Sequence, residues 1–298
     1  MHKPKIIAIV GPTASGKTSL SIFLAQKLHS EIISADSRQV YRGLDIGTGK
    51  VTRKEMAGIP HHLLDVTSPQ KQFTASDFVT QAKAVYSGIL QNNRIAIVVG
   101  GTGFYIDALL GRMLFPNVPP NEKLRAQLEK KNLPQLVTIL EKVDPARANT
   151  IERGNKRRII RALEIAAALG KSPAGGVSLE GVCDYDVLWL GINLPEKKLH
   201  ANIRIRLLAR IQDGMVEEAH ALHKRGLSYK RMEELGLEYR SLSYLLQGKI
   251  SKEAFIEQLE YAIRHYAKRQ LRWFKRNKDI HWVRTKTEAL KIAKNFLQ

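Results

Sequence analysis

Compact runs of apolar, mostly β-branched residues recur early in the chain: Ile6 to Gly11 (IIAIVG), Glu31 to Asp36 (EIISAD) and Arg94 to Gly103 (RIAIVVGGTG). Unbroken apolar character over so few residues predicts strands buried on both faces. Between and after them the apolar spacing lengthens. In Lys17 to His29, Leu20, Phe23, Leu24 and Leu28 recur at helical intervals, and Ala75 to Gln91 reads as a second helix. Strand alternating with helix implies an α/β fold with a parallel sheet flanked by helices and ligands at the carboxyl ends of the strands.

The pattern changes after Phe115. Pro116-Asn117-Val118-Pro119-Pro120 predicts a stiff connector, followed by charged helical stretches to about Ala168 and a loop from Gly170 to Gly181. An apolar strand returns at Asp186 to Leu194, and a shorter one is expected at Ile280 to Arg284 before a last helix. Residues 116–185 therefore read as a mainly helical insertion into one α/β domain made of 1–115 and 186–298. No internal repeat interrupts this organisation.

The chain has 298 residues, 44% of them hydrophobic, enough to bury a substantial core. Its charge is lopsided: 48 Lys plus Arg against 28 Asp plus Glu give a formal net charge of +20. A polyanionic partner is the expected reason, because basic clusters gain affinity by releasing counterions from phosphates. The single cysteine, Cys183, excludes an intramolecular disulfide and a cysteine-rich zinc site, and reads as a buried structural thiol. No apolar run reaches the roughly 20 residues that span a membrane. With no secretory signal visible at Met1, a cytoplasmic protein is expected.

The segment Gly11-Pro12-Thr13-Ala14-Ser15-Gly16-Lys17-Thr18 fits the phosphate-loop pattern G-x-x-x-x-G-K-[ST] without mismatch, after an apolar strand and at the start of an amphipathic helix. Its glycines allow backbone amides to face phosphate oxygens, and the helix amino terminus adds partial positive charge. Lys17 would contact phosphate and Thr18 would offer its hydroxyl to Mg²⁺. An ordinary ATPase or kinase carries a metal-binding acid after a neighbouring strand. Here the run Ile95 to Val99 ends in Gly100-Gly101-Thr102-Gly103, and the acid stands instead at Asp36 after the second strand. Asp36 is either a general base or metal ligand, or a turn-capping aspartate. Thr102 either meets phosphate or nucleic acid, or sits in a plain strand-to-helix turn. His61-His62 lacks an i, i+4 partner and reads as structural.

Two basic clusters suit RNA. Arg153, Lys156, Arg157, Arg158 and Arg161 lie in the insertion, with Arg157, Arg158 and Arg161 on one side of a helix. Arg264, Lys268, Arg269, Arg272, Lys275, Arg276 and Lys278 are interleaved with His265, Tyr266, Trp273 and Phe274, a mixture suited to backbone contact and base stacking. From the residues alone an ATP-dependent kinase and an RNA-binding module that keeps a nucleotide site both stay open.

Taken together, GPTASGKT, ISADSRQVYRGLDIGTGK, PHHLLDV, GGTGFYIDALL and AKRQLRWFKR, in order over nearly the whole chain, resemble the bacterial tRNA dimethylallyltransferase family. That resemblance implies a phosphate-loop fold and a reaction in which dimethylallyl diphosphate releases pyrophosphate as its allyl carbon joins N6 of adenosine 37, in the anticodon loop of tRNAs reading codons that begin with U. It implies Asp36 as general base, with Lys17, Thr18 with Mg²⁺ and Arg206 stabilising the departing pyrophosphate and Thr13 lining the site. It assigns tRNA contacts to Asp36, Ser37, Arg38, Gln39 and Thr102, to Arg157, Arg158, Ile159, Ile160 and Arg161, and to Glu233 through Glu238. The partners expected are the tRNA anticodon stem-loop and the prenyl donor, with the chain a monomer. Two departures stand out: Asn202 occupies a position where many members carry arginine, and Leu235-Gly236-Leu237-Glu238 replaces a glycine-tyrosine-basic run.

Overall fold

The computed structural model describes residues 3–113, 116, 118–170 and 184–298. The chain opens with β1 (Lys5–Val10), α1 (Lys17–Leu28), β2 (Glu31–Ser34), α2 (Arg53–Met56), β3 (His61–His62), α3 (Ala75–Gln91), β4 (Ala96–Gly100) and α4 (Gly103–Leu109). Helices α5 (Glu122–Glu129), α6 (Leu133–Val143), α7 (Pro145–Thr150) and α8 (Lys156–Leu169) follow. After them come β5 (Asp186–Ile192), α9 (Glu196–Gln212), α10 (Met215–Lys224), α11 (Tyr229–Leu235), α12 (Leu237–Leu246), α13 (Lys252–Phe274), β6 (Ile280–Val283) and α14 (Lys286–Leu297). The expectations for Cys183 and for positions 171–181 fall outside the described residues.

All six strands run parallel in the order β3-β2-β4-β1-β5-β6. This accounts for the apolar runs: β1 and β4, in the middle, have neighbours on both edges and helices over both faces. Ile7, Ile9, Ile32, Ile97, Leu188 and Leu190 pack under Leu20 and Leu24 of α1 and Ala289 and Ala293 of α14. At the alternate positions Ile6, Ala8, Ile33 and Val98 are fully buried as well, and α3 and α4 lie against β2 and β4. A second core, built from α9 to α13, includes Leu207, Met215, Tyr239, Phe255 and Leu259 together with Val40 and Leu44 from the segment after β2.

Several boundaries differ from those the sequence predicts. The run Arg94 to Gly103 yields a strand only over Ala96–Gly100, and Gly103 already opens α4. The edge strand β3 was not expected. It rests on the register Ile32↔His61 and Ile33↔His62, with His62 Nε2 2.7 Å from Glu31, which also receives Arg94 at 2.8 Å. His61 and His62 thus serve the sheet, as their spacing suggested.

The chain divides into two compact units, 1–109 with 184–298, and 110–183. The second has its own core, in which Leu136, Leu140, Ile159, Ile160 and Leu163 are buried. Its helices are capped by asparagine or aspartate: Asn121, Asn132, Asp144 and Asn155 each accept a backbone N–H of the first turn. The buried Glu164 is satisfied by the Asn121 amide at 2.9 Å and by Arg125 at 2.9 Å.

Candidate active site

The phosphate loop leaves the end of β1 through backbone conformations that few residues tolerate. Gly11 has φ +150°, and a Cβ there would lie 2.7 Å from the carbonyl oxygen of Ile192; Gly16, which starts α1, has φ +95°. Ala14 between them also takes a positive φ, 60°, costly for a residue with a Cβ. Its carbonyl is held by Asn202 Nδ2 of α9 at 3.2 Å. Asn202 therefore pins the loop. Lys17 Nζ donates to Pro12 O at 2.6 Å. Burial lowers the Lys17 pKa from 10.5 to about 7, opposed by the charge of Asp36 and reinforced by that of Arg206.

Asp36 follows β2 and faces the same space. Its Oδ1 accepts N–H bonds from Arg38 at 2.8 Å and Gln39 at 3.3 Å. Oδ2 makes no hydrogen bond among the described residues. The turn-capping reading of this residue is therefore met by one oxygen, which builds the turn. The neighbouring Ser37 N–H donates to Thr102 Oγ1 at 3.1 Å, which joins the turn to the glycine-rich end of β4.

That glycine-rich end explains the missing acid. Val10 and Gly100 are register partners on adjacent strands, so Gly100 stands beside the phosphate loop. A Cβ on Gly100 would lie 2.1 Å from the carbonyl oxygen of Ala35, and one on Gly103 would lie 2.2 Å from the Trp273 ring. No side chain fits at Gly100, still less a carboxylate. Trp273 Nε1 in turn donates to Asp107 at 2.8 Å.

These elements enclose a cavity of about 1080 Å³ lined by Thr13 to Ser19, Asp36 to Gln39, Gly100, Gly101, Asn202, Arg206, Leu235, Leu237, Glu238, Tyr266, Arg269 and Gln270, among others. Lys17, Thr18, Asp36 and Arg206 are thus brought to one space. Arg206 has no ion-pair partner among the described residues; burial and then the neighbouring Arg210 lower its pKa. Gly49 lies against Arg206, so close that a Cβ there would be 3.0 Å from Nη2. Tyr266, pushed up to about 12 by burial and then by Asp36, remains a phenol and a hydrogen-bond donor. Thr102 stands behind the Asp36 turn and is not among the lining residues.

The segment Glu233 to Glu238 joins α11 to α12 through Gly236 at φ +74°. Leu235, Leu237 and Glu238 line the cavity, and Glu238 pairs with Arg210 at 3.3 Å.

In the helical unit the outcome is mixed. Arg157 and Arg158 are exposed on α8, Arg158 pairing with Glu152 at 2.9 Å. Arg161 is tied down, with Nη2 on Val118 O at 2.7 Å and Nη1 3.6 Å from Glu164. Ile159 and Ile160, expected to touch tRNA, are only 0% and 2% exposed and belong to the unit's core. Their side chains therefore hold α8 in place instead of meeting RNA. Lys156 and Arg153 are likewise engaged, by Glu129 and Glu141.

Two positions that build the site escaped the sequence reading. Gln270 of α13 accepts the Thr13 N–H and donates to Gly101 O, both at 2.8 Å. Glu218 of α10 accepts the N–H groups of Asp45, Ile46 and Gly47 and the Tyr239 hydroxyl, at 2.6 to 2.9 Å. It thereby fixes the GLDIGTG segment, whose Gly47 O receives Arg210 at 2.8 Å. Neither carries a motif; each is defined by partners far away in sequence.

A family model described as IPP transferase matches residues 39–277. The chain belongs to the IPP transferase family. Over 287 residues, 94% of this chain and 96% of the relative, it is 41% identical to tRNA dimethylallyltransferase 2 of Treponema denticola. It is 38% identical to the tRNA dimethylallyltransferase of Anoxybacillus flavithermus, covering 93% of this chain and 89% of that one. The crystal structure of a full-length tRNA isopentenylpyrophosphate transferase from Bacillus halodurans matches with a TM-score of 0.73 at 34% identity, over 99% of this chain and 96% of that one. A eukaryotic dimethylallyltransferase acting on tRNA matches with a TM-score of 0.85 at 26% identity, over 99% and 79%. The family-model match spans the helical unit and begins after the phosphate loop and Asp36, and the solved relatives are matched over 99% of this chain. Among the described residues no helix is long and apolar enough to cross a membrane.

Proposed function

We propose that this chain is a tRNA dimethylallyltransferase: it moves the dimethylallyl group of dimethylallyl diphosphate to N6 of adenosine 37 in tRNA anticodon loops. The products are N6-(dimethylallyl)adenosine and pyrophosphate. The observation that carries this reading is that one cavity holds a phosphate loop with two basic side chains, Lys17 and Arg206, beside Asp36, a carboxylate with one oxygen free of hydrogen bonds among the described residues.

The chemistry follows from those groups. A phosphate loop at a helix amino terminus binds the diphosphate of the donor as readily as a nucleotide. As the bond from carbon to the diphosphate oxygen breaks, charge grows on that oxygen, and Lys17 and Arg206 are placed to stabilise it. The exocyclic amine of adenine is a poor nucleophile. Asp36 Oδ2 accepts its proton as the new C–N bond forms, a contribution of about 10²- to 10⁴-fold.

Among the described residues no group of three or more His, Cys, Asp or Glu could hold a metal. The Thr18 hydroxyl fits Mg²⁺ because that ion keeps several waters and takes few protein ligands beside phosphate oxygens. When bound it neutralises charge on the diphosphate. For adenine to reach Asp36 it must leave its stack, at a cost of a few kcal/mol. Exposed Arg157 and Arg158, with Lys268, Arg269 and Arg272 of α13, supply attraction to tRNA phosphates that offsets that cost. We assign the chain to the cytoplasm, acting as a monomer.

A kinase would need a metal-binding acid at Gly100, where a Cβ meets Ala35 O at 2.1 Å. The test is incubation with labelled dimethylallyl diphosphate, Mg²⁺ and mixed bacterial tRNA, followed by digestion to nucleosides. Labelled N6-modified adenosine is expected; its absence, or phosphate transfer from ATP, would overturn the proposal.

A further inference from the structure

Helix α13 touches both halves of the reaction at one residue. Gln270, 6% exposed, lies between the phosphate loop and the end of β4. Its Oε1 takes the Thr13 N–H and its Nε2 gives to Gly101 O. Both halves of the amide are used, so the side chain has one orientation and cannot shift without breaking a bond at one end. The surroundings are shaped to it: a Cβ on Gly101 would lie 2.1 Å from Gln270 Nε2, so glycine is required there to admit the amide. From Gly101 the connection runs one residue on to Thr102, whose Oγ1 accepts the Ser37 N–H, and Ser37 follows Asp36. One helical turn earlier Tyr266 faces the cavity, and one turn later Trp273 packs on Gly103 and bonds Asp107. The helix is thus anchored along this stretch.

We infer that Gln270 is a positioning residue that holds the phosphate loop and the Asp36 turn in fixed register, so that the departing diphosphate and the proton acceptor stay aligned across the reacting carbon. The inference rests on the prenyl-transfer reading above. Neither binding half needs the register: the loop's remaining amides and Lys17 still hold diphosphate, and Asp36 to Gln39 still build their own turn. Only the step that uses both at once needs it. A misplacement of about 1 Å at reacting groups lowers rate by about 10²-fold.

Two variants separate this from mere filling of a buried space. Gln270→Met keeps the packing and removes both hydrogen bonds; Gln270→Glu keeps the acceptor for Thr13 and sets a carboxylate against Gly101 O. Steady-state kinetics on full-length protein should show kcat lowered by about 10- to 100-fold in each, with KM for the prenyl donor and for tRNA within about threefold of wild type. Unchanged kcat, or a rise in KM at constant kcat, would overturn the positioning role. If Gln270→Met does not fold, Gln270→Glu decides. A second readout does not depend on turnover. Hydrogen exchange with pyrophosphate and Mg²⁺ alone should slow the amides of residues 100–104 and 35–39 in wild type, and fail to do so in the variants. Protection that persists in the variants, or is missing in wild type, refutes the coupling. Wild-type protection without prenyl transfer would instead locate the failure in the proposed reaction.

Discussion

The phosphate loop and helix α8 both present basic residues to an expected polyanion, yet they are built in opposite ways. At the loop, Lys17 and Arg206 stand in a concave site with no carboxylate paired to either among the described residues, and burial lowers both pKa values. On α8, Arg158 is exposed and paired with Glu152, Arg161 is bound to Val118 O, and Lys156 and Arg153 have acidic partners. Desolvation has already been met when the loop folds, so an arriving diphosphate gains strongly from each cation. On α8 a cation must exchange one partner for another in high dielectric, and the gain is small and salt-dependent. The same side-chain type is therefore buried and unpaired among the described residues in one place and exposed or paired in the other.

The largest expected effect belongs to Asp36, the proposed general base. Asp36→Asn keeps an oxygen for the Arg38 and Gln39 amides but removes the base, so kcat should fall by about 10²- to 10⁴-fold. Affinity for tRNA, from filter binding, should change little. An equal loss in both would make Asp36 a binding residue and erase the contrast between the cavity and α8.

Next comes Lys17, whose depressed pKa gives a signed pH effect. In the unfolded chain it titrates at the ordinary value of 10.5 and in the folded chain at about 7. Between these values the unfolded state binds more protons, so its contribution to stability rises with pH across the window. Diphosphate reverses this by stabilising the ammonium. Pyrophosphate binding should take up about one proton near the middle of the window and weaken as pH rises. Calorimetry in buffers of different ionisation enthalpy measures that uptake. Lys17→Met should abolish it and lower kcat by about 10²- to 10³-fold. Proton uptake equal to wild type in Lys17→Met would move the effect to another group.

How much of this was legible follows from where each signal lies. GPTASGKT is contiguous and sits at a strand-to-helix junction, so the loop, Lys17 and Thr18 could be read off directly. Strands β1, β2 and β5 could be read because double-sided burial forces continuous apolar runs. Strand β3 could not, since two residues, His61 and His62, carry no periodicity and pair only because Ile32 and Ile33 lie beside them. Gln270 and Glu218 look like ordinary helix residues until the fold brings Thr13, Gly101 and the Asp45 to Gly47 amides to them. Ile159 and Ile160 were misassigned for the converse reason. A stretch carried over as a continuous run ignores that adjacent helix positions point in different directions.

Helix α8 offers a direct check on that correction. Ile160→Val trims a methyl group inside the helical unit's core and should destabilise it by about 0.5–1.5 kcal/mol in urea unfolding. Affinity for tRNA should stay at its wild-type value wherever the unit is folded. A specific loss of tRNA binding without loss of stability would return Ile160 to the interface.

The smallest effect should come from the exposed arginines, and the two should differ. Arg157 is exposed and has no hydrogen-bond or ion-pair partner among the described residues, whereas Arg158 already neutralises Glu152. Removing one cation that neutralises a phosphate reduces the slope of log affinity against log salt by about 0.7 to 0.9, depending on strandedness. Arg157→Ala should approach that change, with a few-fold weaker tRNA binding at moderate salt. In Arg158→Ala the reduced attraction is joined by a Glu152 charge set free to repel phosphate, so affinity falls while the counterion slope moves less. Titrations of both variants over a range of salt concentrations separate the two patterns. If the slopes change equally, the Arg158–Glu152 pair does not persist against tRNA, and α8 holds two free cations as the cavity does.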